Sequence, residues 1–153
     1  MHLKKCVALV LASSGLFTLG VTTCQHPAHA ATWHKGVPKF LRGHFYRTKL
    51  EPKYVKMNGK KVPINSRRSE DLHFTKTKVR YLGYQDAANL KGCHYTHKGK
   101  YIIIKGKYDK DMGLTPALKV KKISNKVIYA GVDYYTNSTT PNFSQLKRMT
   151  RQR

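Results

Sequence analysis

From residue 43 onward, apolar and polar side chains alternate in short runs, and turn-forming residues separate the runs. His44-Phe45-Tyr46-Arg47-Thr48-Lys49-Leu50 alternates, is rich in strand formers, and stops at Pro52. Three hairpin signals follow. Leu72 and Phe74 share one parity, while Val79 and Tyr81 share the other, so a turn must fall near Lys76-Thr77. Lys98-Gly99 separates 93–97 from 100–108, and Ser124-Asn125 separates 118–123 from 126–135. The stretch 143–149 reads as a last strand, because closing the sheet would remove two exposed edges. This pattern predicts strands at 43–50, 70–75, 78–84, 92–97, 100–108, 117–123, 126–135 and 143–149. It points to an all-β fold, a small up-and-down antiparallel barrel of about eight strands. Residues 51–71 hold few apolar anchors and read as a long loop. Tyr54, Val55 and Met57 are its candidates for a lid over the barrel mouth.

The first thirty residues follow another grammar. His2-Leu3-Lys4-Lys5 is basic, Cys6 to Val21 is largely apolar, and Ala28-His29-Ala30 is a small-x-small cleavage site. Together these predict a secretory signal peptide at 1–30. The apolar run is too short for a good membrane span, which needs about 20 apolar residues, so no transmembrane span is expected in the mature chain. A lipid-modified Cys24 is the rival reading, but Thr23 is a poor residue just before such a cysteine. Residues 31–150 then make one β-barrel domain, and 151–153 a disordered basic tail. Trp33, the single Trp, opens a turn through Pro38, Phe40 and Leu41 that reads as a plug feeding the first strand. Cys93 is the only cysteine after the leader, so no internal disulfide is expected, and it reads as a small buried apolar residue.

Charge narrows the partners. The chain carries 30 Lys and Arg against 7 Asp and Glu, a net charge of +23. Loss of Lys4 and Lys5 with the leader would leave +21. Such a charge attracts polyanions over long range. For an exported protein the expected partners are anionic cell-wall polymers or lipid headgroups, contacted electrostatically, and no specific nucleic acid. The expected location is extracellular, with retention at the cell wall.

The stretch Trp33-His34-Lys35-Gly36-Val37-Pro38-Lys39-Phe40-Leu41-Arg42-Gly43 resembles the mature start of small secreted proteins of lactobacilli, which reads Trp-His-Lys-Gly-x-Pro-Lys-x-Leu-Arg-Gly. The run Leu72-His73-Phe74-Thr75-Lys76-Thr77-Lys78-Val79 is similar to a hairpin those proteins share. The resemblance implies secretion more than any activity. Gly43-x-Phe45 also resembles the Gly-x-Trp entry of lipocalin and calycin barrels, with Phe45 where that family has Trp. It implies structural roles for Gly43, Phe45 and Arg148, with Arg148 capping Phe45 at the closed end, while Trp33 joins the structural set through the plug turn that it opens. It also implies a ligand cavity.

Chemistry-bearing motifs are sparse. Cys93, His94 and His97, with His44 and His73 elsewhere, are a candidate metal set, but His94 and His97 of one strand would face opposite ways. Asp109-Lys110-Asp111-Met112-Gly113 begins like a calcium loop, yet its twelfth position is Val120 rather than Glu, so it reads as a turn. No nucleophile elbow or HExxH helix is present, and Glu51, Glu70, Asp71, Asp86, Asp109, Asp111 and Asp133 fall mostly in predicted loops. The reading is a non-enzymatic protein with no cofactor and no metal. Its first function is contact with anionic wall polymers. The alternative is a binding module for a small apolar ligand in a lipocalin-like pocket, with Tyr54, Met57, Tyr81 and Tyr101 as the ligand candidates near the mouth. Phe45, Phe74, Tyr81 and Ile103 are the side chains whose bulk would fill such a pocket.

Overall fold

A computed structural model describes residues 31–136, 139–143 and 145–153. The signal-peptide expectation lies on residues outside that set. Twelve strands form: β1 (His34–Lys35), β2 (Phe45–Thr48), β3 (Tyr54–Met57), β4 (Lys60–Pro63), β5 (Asp71–Phe74) and β6 (Val79–Leu82), then β7 (Ala87–Leu90), β8 (His94–Lys98), β9 (Tyr101–Lys105), β10 (Thr115–Lys122), β11 (Val127–Tyr135) and β12 (Lys147–Arg151). The only helical turn among the described residues is a 3-10 turn at Lys39–Leu41.

Ten strands make one sheet in the order β1-β8-β9-β10-β11-β12-β2-β5-β6-β7, antiparallel throughout. Strands form within each of the eight expected ranges, the last only from Lys147 onward, with residue 144 outside the described residues. The expected closed barrel does not form: the edge strands β1 and β7 do not pair. The sheet still curls enough to put Phe74, Val79 and Leu90 of one half into the same core as Ile104, Leu118 and Ile128 of the other. The two halves are also tied where Lys107 N–H donates to the Lys91 carbonyl at 2.9 Å. Curling buries the inner face without the stagger that full closure demands.

The alternation decides which residues go inside. Leu72, Phe74, Val79 and Tyr81 all face the core, so the change of parity marks a true hairpin, closed by Thr75 N–H to the Lys78 carbonyl at 2.9 Å. On β9, Ile102 and Ile104 belong to the core cluster. Ile103, expected among the interior residues, is buried as well, but on the other face of the sheet, beside Thr96 and Lys119. The edge-on rings of Tyr46 and Phe74, with centroids 5.8 Å apart, fill the centre.

The expected plug exists, but Trp33 is not its centre. Val37 and Leu41 are fully buried in the core, whereas Trp33 is exposed. Gly36 N–H donates to the Cys93 carbonyl at 2.7 Å and Val37 N–H to the Lys76 carbonyl at 3.0 Å, which docks this segment on the end of the sheet. Residues 51–71 also depart from expectation. They hold a second sheet, the β3–β4 hairpin, turning at Asn58-Gly59 with both residues at positive φ. Tyr54 and Met57 are exposed there, so the hairpin is no lid. At the other end, β12 runs one residue past the expected fraying point, and Gln152 N–H donates to the Phe45 carbonyl at 2.8 Å.

One ion pair fixes β2 on β5. Arg47 Nε and Nη2 donate to Asp71 Oδ1 and Oδ2 at 2.7 and 2.8 Å. The guanidinium hydrogen bonds hold the Asp71 carboxyl below its ordinary range, against the opposing effect of burial. A depressed folded-state value means stability that is present above the unfolded carboxylate range and lost as pH falls through the lowered value. Below about pH 4 the wild-type protein should therefore lose up to about 1 kcal/mol more than Asp71→Asn, the small size reflecting the exposure of Arg47. Urea melts of both proteins between pH 2 and 7 check this; parallel acid limbs would refute it.

Candidate functional site

Two surfaces stand out. The first is the outer face of β8 to β11, where the strand register places Lys98, Lys105, Lys119 and Lys121 on one side of the sheet. Several lysines are held by aromatic rings. Lys105 Nζ lies 3.7 Å from the Tyr135 ring centroid and 5.0 Å from that of Trp33. Lys119 Nζ sits 4.4 Å from the Tyr101 centroid and 5.6 Å from that of Phe143. At the plug, Lys122 lies 4.9 Å from the Phe40 ring. Ring faces orient a cation without neutralising it. Among the described residues the ion pairs are Arg47–Asp71 and Lys147–Glu70, so these outer-face lysines have no carboxylate partner.

The second surface is a half-open cavity of about 660 Å³ at one end of the curled sheet. Its apolar wall comes from inward residues of successive strands: Leu72, Leu118, Ala130, Val132 and Met149. The sequence predicts that wall, since the same alternation that builds the core continues to the end of each strand. The polar floor is less legible. Glu70 is buried, and Lys147 Nζ donates to its Oε1. Tyr81 lies beside them with its hydroxyl pushed well above the ordinary range, by burial first, then by the negative charges of Glu70 and Asp86 and a hydrogen bond to Glu70. Tyr134 is raised by burial, with Asp86 and Asp133 adding to it. Both phenols stay protonated at neutral pH, and Tyr81 donates to Glu70.

Gly83 makes this packing possible. A Cβ there would lie 2.0 Å from Asp86 Oδ1 and 2.6 Å from the Tyr81 hydroxyl. Asn142, Phe143 and Gln145 complete the rim. Asn142 is anchored where its N–H donates to Asp133 Oδ2 at 2.6 Å.

Of the four ligand candidates, Tyr81 lines the cavity and the others do not. Tyr54 and Met57 lie on the separate β3–β4 hairpin, and Tyr101 is on the outer face under Lys119. The structural set is also dispersed. Gly43 is left-handed at φ +72 and starts β2 with its N–H on the Phe74 carbonyl at 2.8 Å. Phe45 stacks on His73, centroids 4.2 Å apart, under Arg47 rather than Arg148. Arg148 is exposed and donates to Thr150 Oγ1 at 3.4 Å, so the lipocalin-type cap is absent. Nothing in the sequence singles out Gly83, Asp86 or Lys147. One signal was present: Glu70 shares the parity of Leu72 and Phe74, which places a carboxylate on a core-facing position.

The candidate metal residues do not meet. Cys93 is buried with its Sγ on the Leu90 carbonyl at 3.2 Å, while His94 and His97 are exposed. Burial pushes the Cys93 thiol up to about 11. It should resist iodoacetamide in the native protein at pH 7.5 and react fully in 6 M guanidinium, read by mass spectrometry. Rapid native labelling would contradict that. Asp109 forms the expected turn, its Oδ1 accepting from Asp111 and Met112 N–H at 3.0 and 3.2 Å. No protein-family profile, curated protein or solved structure matches the chain.

Proposed function

We propose that the protein is a non-enzymatic, exported polycation that sits at the cell surface by contacting anionic wall polymers. The observation that carries the reading is the row of uncompensated lysines on the outer face of β8 to β11, in a chain of net charge +23. Phosphate or carboxylate groups along a polymer can engage several of these lysines at once, and ring contacts limit the side-chain entropy lost in doing so. The leader-like start and the resemblance to small secreted proteins of lactobacilli support the location. Among the described residues no helix is long and apolar enough to cross a membrane, so charge is the proposed means of retention.

The test is salt. Exposed charge pairs are screened over about 10 Å at 0.1 M and about 3 Å at 1 M ionic strength. Protein bound to purified anionic wall polymer at 0.05 M NaCl should be released by 1 M, and charge reversal at Lys105 and Lys119 together should move release to lower salt. Full retention at 1 M would sink the reading.

A further inference from the structure

We propose that the cavity at the end of the curled sheet is a binding site for a neutral carbohydrate unit of one or two sugar rings, distinct in charge from the cationic outer face that it adjoins at Phe143. Its charge sets it apart. The lining holds two cations, Arg68 and Lys147, and two carboxylates, Glu70 and Asp86, and so balances to zero in a chain of +23. The balanced lining offers no net charge to hold an anionic occupant, and the protein's own field disfavours a cationic one.

A wholly apolar ligand fits no better. It would cover the Glu70–Lys147 pair and the Tyr81 hydroxyl and strip them of water without replacing its hydrogen bonds. The lining instead alternates polar and apolar groups, as a sugar ring does. Asp86, Asn142 and Gln145 supply donors and acceptors for hydroxyls. Tyr84 and Phe143 supply flat apolar faces for the C–H side of a ring. Tyr84 is exposed at the mouth, with Lys147 Nζ 5.5 Å from its ring centroid, so one face of that ring is fixed by the ion pair below. About 660 Å³ falls within the ordinary range for small-ligand sites.

The probes are maltose, cellobiose and N,N′-diacetylchitobiose, followed by saturation-transfer NMR in 0.5 M NaCl, where polyanion contacts are largely screened. At least one disaccharide should receive saturation, and Tyr84→Ala and Asp86→Asn should each weaken its binding at least tenfold. Both residues are exposed, so both variants should keep the wild-type melting temperature, which is measured alongside. Absence of transfer to all three sugars, or transfer unchanged in both variants, overturns the proposal and leaves the polyanion reading untouched. Release from wall polymer by salt tests that reading alone.

Discussion

Ile104→Ala should destabilise the protein by about 4–5 kcal/mol, and Leu118→Ala by only about 2–3 kcal/mol, although both residues are fully buried and directly opposed across β9 and β10. The lost transfer energy is nearly the same for the two. The difference lies in the hole. Ile104 is enclosed by the core cluster, so its truncation leaves a void that water does not fill and that neighbouring strands can only partly close. Leu118 also belongs to that cluster, but it forms part of the cavity wall. Leu118 is itself screened from solvent, but space released there opens toward the neighbouring half-open cavity, so the cavity penalty is smaller. Urea unfolding with a common m-value checks this. Equal losses, or a larger loss for Leu118→Ala, would mean that the chamber is not open in solution.

The same contrast shows how far the sequence could be read. Alternation predicts eight of the ten strands of the main sheet and puts Leu72, Phe74, Val79 and Tyr81 on its buried face, because burial of one face imposes a period of two. It could not report closure. Curvature depends on how far successive strands are sheared and twisted, and side-chain polarity carries little of that. The missed strands have separate causes. β7 is Ala87-Ala88-Asn89-Leu90, whose small side chains give a weak strand signal. β3 and β4 bury almost nothing, so hydrophobic pattern is silent, although Asn58-Gly59 was a legible turn. Phe45 was misplaced because Gly-x-aromatic fixes a backbone entry and not the face the ring occupies. The cavity floor was illegible for a similar reason. Glu70 and Lys147 are 77 positions apart, and only the order β12-β2-β5 brings them together.

That pair supports the second large effect. Lys147→Met keeps most of the aliphatic stem but leaves Glu70, at 5% side-chain exposure, without its cation. Stranding a buried carboxylate typically costs 3–5 kcal/mol. Here about 2–3 kcal/mol is expected, since the Lys147 side chain is 43% exposed and the cavity lets water reach the pair. Glu70→Gln alone should cost less, about 1 kcal/mol, because the freed ammonium can turn to solvent and the amide can still accept from Tyr81. If the loss in Lys147→Met comes from the stranded charge rather than from lost packing, adding Glu70→Gln to it should restore about 1–2 kcal/mol. The double-mutant cycle then gives a coupling of about 2–3 kcal/mol, the restored energy plus the roughly 1 kcal/mol that Glu70→Gln costs alone. Additive losses would show instead that Lys147 matters through its stem, and that the floor of the cavity is held by contact with Tyr84 rather than by charge.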